Sequence, residues 1–160
     1  MQLPTFWWKL GSLGVLTVVG VATALRSRDP AASPRRGLRI FALLLGVAIA
    51  LGWVIDALAP GAGALWARLR WRHGVECVFT MVVLSIPAIV ALGLLLRRGV
   101  PTDRKGSALA AGAAGAAWGA FVFAFRCPDD DPFYVAVWYP VGCSMIALAG
   151  RLVLPRIIRW

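Results

Sequence analysis

The sequence predicts an all-α fold, a polytopic transmembrane helical bundle with five crossings, and three observations carry that prediction. The chain of 160 residues is 60% hydrophobic with a mean hydropathy of +0.77, whereas a soluble domain is closer to half apolar. Its apolar residues gather into five runs that hold almost no charge, and a single helical crossing needs roughly 20 such residues. Its basic residues lie in short clusters between those runs, the usual pattern of membrane-protein loops.

The first crossing is expected over about 7–25. Its uncharged core, Leu10 to Leu25, is short, so Phe6, Trp7 and Trp8 serve as its interfacial edge. The second, about 40–59, carries only Asp56, placed near the far end where hydration is expected. The third, about 77–96, is uncharged from Cys77 to Leu96; Pro87 removes one backbone hydrogen bond in its middle and predicts a kink. The fourth, about 106–125, is uncharged from Gly106 to Phe125. The fifth, about 133–152, is uncharged from Pro132 to Gly150, with Cys143 and Ser144 as mild polar members. These make one transmembrane domain over 1–160, and no cleavable signal peptide is recognisable.

Counting Lys and Arg in the short loops sets the orientation. One side holds Arg26, Arg28, Arg35, Arg36, Arg39, Arg97, Arg98, Arg104, Lys105, Arg151, Arg156 and Arg159; the other holds Lys9, Arg68, Arg70, Arg72 and Arg126. The richer side is expected in the cytoplasm, with the amino terminus outside and the carboxyl terminus inside. An outside amino terminus without a signal peptide leads to the further expectation that one more helix precedes Met1. The net charge of +10 does not point to direct nucleic-acid binding, because the segments left outside the bilayer are too short for a reading module.

The fourth crossing is rich in small residues, among them Gly112, Gly115 and Gly119, the last two forming a GxxxG pair. Small residues let helices approach closely in lipid. They serve either a homo-oligomer interface or packing within this chain's own bundle, and the second reading is favoured. Trp7, Trp8, Trp66, Trp71, Trp138, Tyr139 and Trp160 lie mostly near crossing ends and are expected in an aromatic belt. The segment Trp66 to His73 is too charged to cross and is expected to lie along the outer surface, tryptophans down and arginines toward lipid phosphate.

The stretch from Arg126 through Cys127, Pro128 and Asp129 to Asp131 packs a thiol and three carboxylates between two apolar runs. Cys77 starts the third crossing and Cys127 ends the fourth, so antiparallel neighbours would bring both thiols to one surface. Such a pair oxidises to a disulfide or binds a soft metal ion. Arg126 would favour a thiolate at Cys127; Glu76 and the Asp129–Asp131 run would oppose one, and those carboxylates could also attract or help to hold a cation. Packing alone explains both cysteines as well as sensing does. Cys143 is deep and reads as inert packing, and His73, Glu76 and the aspartates otherwise read as solvated loop residues. One histidine, no nucleophile elbow, no phosphate loop and no paired intramembrane carboxylates leave no catalytic set and imply no cofactor.

The carboxyl-terminal half resembles the NrsF family, membrane-bound negative regulators of extracytoplasmic-function sigma factors. The resemblance rests on Cys77 with Ile86-Pro87, the basic loop Arg97-Arg98-Gly99-Val100-Pro101-Thr102, the small-residue helix ending in Cys127-Pro128-Asp129-Asp130, the pair Trp138-Tyr139, and the closing Arg159-Trp160. Family members carry a histidine where Arg126 stands, which bears on any metal-ligand role there. They also look like six-helix proteins with a cytoplasmic amino-terminal segment, and this chain is expected to start just before the second helix.

The resemblance implies an inner-membrane anti-sigma factor that holds a sigma factor and releases it under envelope, metal or redox stress. The expected sensing residues are Cys77 and Cys127. The inner loop with Arg97, Arg98, Arg104 and Lys105 is the expected route to the cytoplasmic partner. Gly112, Gly115, Gly119 and Pro87 are expected to set helix packing. The alternatives are a small transporter or channel component, and a structural membrane subunit working through the Gly115/Gly119 face.

Overall fold

The computed structural model describes residues 4–29, 33–58, 68–99, 103–127 and 131–157. They form five α-helices: α1 (Pro4–Arg26), α2 (Pro34–Leu58), α3 (Trp71–Arg97), α4 (Arg104–Ala124) and α5 (Pro132–Ile157). All five are long and apolar enough to cross a membrane, and no strand occurs among the described residues.

Contacts between helix ends show an alternating up-and-down arrangement. Gly37 near the start of α2 abuts Thr23 near the end of α1, while Gly52 near the end of α2 abuts Trp8 near the start of α1. Gly112 early in α4 likewise meets Ala147 and Gly150 late in α5. The bundle therefore has two ends. One gathers the start of α1, the end of α2, the start of α3, the end of α4 and the start of α5; the other gathers the opposite termini.

α4 is the central helix, packed against α1, α3 and α5, while α2 sits outside against α1 and α5. The reason is side-chain size. From Ser107 to Ala120 nearly every position of α4 is Ala or Gly and is buried, so neighbouring backbones come close and dispersion contacts accumulate. A Cβ on Gly119 would fall 2.7 Å from the Met81 carbonyl oxygen, and one on Gly112 would fall 2.9 Å from that of Ala147. Gly115 faces Ile89. The face bearing Gly115 and Gly119 is thus covered by α3 of the same chain. Asp103 caps α4, accepting from the Gly106 N–H at 2.9 Å, as a short acidic side chain does at a helix start.

The outer surface is apolar. On α3, Val75, Phe79, Val83, Ile86, Val90 and Leu94 are all exposed and recur every three or four residues. On α2, Ile40, Leu43, Val47, Leu51, Val54 and Leu58 do the same. Stripes of this length far exceed the apolar patches that a monomer shows to water, and they match a surface that lipid covers. α3 continues through Pro87, with the Ser85 hydroxyl donating to the Val82 carbonyl at 2.7 Å just before it.

Candidate functional site

The end that holds Cys77 and Cys127 is organised by a charged clasp. Arg68, just before α3, places its guanidinium between Asp56 near the end of α2 and Asp131 at the start of α5. Its Nε donates to Asp131 Oδ2 at 3.0 Å and its Nη1 to Asp56 Oδ2 at 3.4 Å, while Nη2 donates to both carboxylates. The Phe133 ring lies 5.4 Å from the guanidinium carbon. The planar fork of arginine suits such two-sided carboxylate binding. Hydrogen bonds donated to Asp131 and then to Asp56 raise the Arg68 pKa above its ordinary value, so this cation stays protonated.

Asp131 has a second task. Its Oδ1 accepts from the Phe133 N–H at 3.0 Å, satisfying an orphan donor at the start of α5, with Pro132 in the first helical position. Burial pushes the Asp131 carboxyl up, but the hydrogen bond and charge of Arg68, with the Phe133 and Tyr134 amides, outweigh it and hold the group below its ordinary value.

The neighbouring residues tie the same loop to α5. The Trp138 indole N–H donates to the Leu69 carbonyl at 2.8 Å. Its ring fills the space that the missing side chain of Gly74 leaves and meets Trp71 edge-on at 5.3 Å. Arg70 between them takes a left-handed conformation, φ 38°, which costs a non-glycine residue about 1 kcal/mol.

Beneath the clasp lie the thiols. Cys77, Cys127 and Cys143 are all buried and stand as thiols in this structure. Cys77 and Cys127 line one cavity of about 210 Å³ together with His73, Glu76, Thr80, Phe123 and Arg126. Cys77 Sγ lies 3.0 Å from the Tyr134 hydroxyl, and the buried Tyr139 hydroxyl neighbours the Cys127 thiol. Two thiols therefore line one pocket, with a histidine and two charged side chains, and each thiol has a phenol beside it. Cys143 lies apart from that cavity, its Sγ 3.8 Å from the Ala116 carbonyl. Among the described residues no three His, Cys, Asp or Glu side chains come together as a metal cluster.

The opposite end is a bed of cations. Arg97, Arg98, Arg104 and Lys105 are exposed where α3 and α4 end and begin, and Arg26, Arg28, Arg35, Arg36, Arg39, Arg151 and Arg156 are exposed around them. Arg35 lies 3.9 Å from Asp103.

Several expectations change against this geometry. Asp56 is not hydrated: it is 6% exposed, because Arg68 is near enough to satisfy it. Asp131 is not a solvated loop residue, for the same reason; Asp129 and Asp130 lie outside the described residues, as do Pro128, Pro101, Thr102, Arg159 and Trp160. Of the expected surface segment, Trp66 and Ala67 are also outside them, Arg68 turns inward, and Trp71 to His73 form the first turn of α3. Trp138 and Tyr139 are buried and do not join an aromatic belt, since the indole finds its partner in the loop. Lys9, counted as a loop cation, is 1% exposed inside the bundle, its Nζ 5.7 Å from the Phe6 ring centre.

Fold and site together define an all-helical protein of membrane-crossing dimensions, with two thiols in a pocket at one end and clustered cations at the other. The chain belongs to the NrsF family, described as negative regulator of sigma F, whose model matches residues 1–160. It is 29% identical over 158 residues to the anti-sigma-F factor NrsF of Caulobacter vibrioides, covering 98% of this chain and 73% of that protein. It is 28% identical over 162 residues to the probable anti-sigma-F factor NrsF of Azospira oryzae, covering 100% of this chain and 75% of that one. No solved structure matches.

Proposed function

We propose that this chain is a membrane-bound anti-sigma factor that sequesters a sigma factor of the extracytoplasmic-function class at the bacterial inner membrane. The observation that carries the reading is the family match over the whole chain, together with relatives named as anti-sigma-F factors. The cation-rich end faces the cytoplasm, as the excess of exposed arginines at that end supports. Arg97, Arg98, Arg104 and Lys105 then stand where a soluble partner binds. The thiol pocket faces outward. Oxidation joins the Cys77 and Cys127 sulfurs, releases two protons and passes two electrons to an external oxidant; a soft metal ion held by both thiolates would constrain the same pair. Either event draws α3 toward α4 at the outer end, and the α3–α4 connection carries the shift inward.

The test is a reporter for the sigma factor's regulon in cells carrying this protein or its Cys77→Ser/Cys127→Ser variant. Induction by oxidant or soft metal with the parent and not with the variant supports the reading. An unaltered response in the variant removes the sensing role, and failure of any sigma factor to co-purify with the solubilised parent removes the sequestering one.

A further inference from the structure

Between α1 and α2, at the cation-rich end, lies a cleft of about 620 Å³ that the thiol pocket and the α3–α4 loop do not share. Its upper wall carries Arg26 from the end of α1 and Arg36 from the start of α2, and its lower wall is formed by Val19, Ala22, Gly37 and Ile40. Ser27, Thr23 and Ser33 line it too. Their hydroxyl groups already serve the backbone: Thr23 donates to Val19, Ser27 donates to Ala24, and Ser33 accepts from the Arg35 N–H. The donors left to meet a ligand are the two guanidiniums and the Ser33 hydroxyl, which accepts from the backbone and keeps its own proton. Among the described residues neither guanidinium has a carboxylate partner, unlike Arg35 with Asp103 or Arg68 with its two aspartates.

Below the cleft the apolar stripe of α2 continues from Ile40 through Leu43 to Val47, all exposed. Cationic head and apolar track lie in line along the helix axis. A phosphate group alone would use the first and leave the second uncovered; a phospholipid uses both. Basic pockets between transmembrane helices on the cytoplasmic side are suited to anionic headgroups, and the volume is that of an ordinary ligand site.

We propose that this cleft binds an anionic phospholipid, its phosphate between Arg26 and Arg36 and one acyl chain along Ile40, Leu43 and Val47. The lipid pins α1 to α2, the helix with the least packing of its own. The proposal rests on the reading of the five helices as membrane-spanning with the cation-rich end in the cytoplasm, and is independent of the sigma-factor partner.

Native mass spectrometry of the full chain released from micelles tests it, with dioleoylphosphatidylglycerol, dioleoylphosphatidylcholine or inorganic phosphate added. One retained phosphatidylglycerol, with phosphatidylcholine retained at least severalfold less, is expected. Arg26→Gln/Arg36→Gln should weaken retention roughly tenfold, whereas Arg151→Gln/Arg156→Gln should leave it unchanged. Ala22→Phe blocks the cleft without altering charge and should also lose the lipid, which covers a failure of the double variant to fold. Equal retention of both lipids, equal loss in the Arg151/Arg156 control, or retention of inorganic phosphate in place of lipid overturns the proposal. Loss of sigma-factor co-purification in Arg26→Gln/Arg36→Gln with lipid retention intact overturns it too, and assigns the cleft to a protein partner.

Discussion

Arg68 grips Asp131 across 63 positions of chain, and the same carboxylate that it grips starts α5. The end of α2, the loop before α3 and the start of α5 are thus held by one guanidinium. Cys77 sits in the second turn of α3 and Tyr134 in the first turn of α5, so the clasp also holds the Cys77 thiol against the Tyr134 hydroxyl.

Removing the guanidinium leaves Asp56 buried without its cation, a change that costs about 3 kcal/mol when a buried pair loses one member. Arg68→Gln should therefore lower the thermal midpoint of the solubilised protein by several degrees. Arg68→Lys should recover only part of it, because an ammonium lacks the fork that meets two carboxylates. Equal midpoints for parent and Arg68→Gln would show that the clasp contributes nothing.

The acid limb of stability should report Asp131. Its carboxyl titrates below the ordinary 3.8 in the folded protein, so its contribution is complete above that value and is lost as pH falls through the lower folded one. Melts between about pH 5 and 8 should not vary on account of this group, and the decline below about pH 4 should be shallower in Asp131→Asn than in the parent. An identical acid limb in both would count against the assignment.

Three glycine-to-alanine changes should rank by what the new methyl meets. On Gly119 it meets the Met81 backbone carbonyl, which cannot step aside; on Gly115 it meets the Ile89 side chain, which can; on Gly46 it meets nothing within 4 Å. Gly119→Ala should destabilise by about 1–3 kcal/mol and Gly115→Ala by less. Gly46→Ala should gain about 0.5–1 kcal/mol from helix propensity. Denaturation in micelles reads all three, and a reversed order would refute the packing account.

The thiols should sort by depth, Cys77 and Cys127 lying near one end of the bundle and Cys143 in the middle of α5. In membrane vesicles, a charged maleimide should modify Cys77 and Cys127 slowly through their cavity and leave Cys143 untouched until detergent unfolds the chain. Treatment with a thiol oxidant should protect Cys77 and Cys127 together. Modification of Cys143 at the same rate as the others would contradict the geometry.

Trp138→Phe keeps a ring against Gly74 and deletes the hydrogen bond to Leu69, worth about 1 kcal/mol. Limited trypsin digestion at Arg68 and Arg70 should become faster in this variant, with the rest of the bundle resisting as before. Unchanged cleavage would mean that the loop is held without the indole.

Helices were legible because apolar run length is a local property: a stretch such as Cys77 to Leu96 announces its crossing without reference to anything else. The meeting of Cys77 with Cys127 in one cavity followed from helix order alone. The clasp was hidden for the opposite reason. Asp56, Arg68 and Asp131 come from three separate segments, and each alone looks like an ordinary charge near a membrane edge. Trp138 misled in a similar way, since an indole near a helix end looks the same whether its N–H meets headgroups or the Leu69 carbonyl. Lys9 looked like a loop charge because its position next to two tryptophans near the chain start gave no hint of burial.

The alanine and glycine lining of α4 sets a direction on how this protein varies between lineages. Nearly every amino-acid-changing single-nucleotide change in codons for alanine and glycine enlarges the side chain, and the buried positions from Ser107 to Ala120 leave little room for enlargement. Accepted substitutions will collect instead on the outward stripes of α2 and α3, where one aliphatic group replaces another at little cost. α4 is therefore expected to change more slowly between lineages than α2.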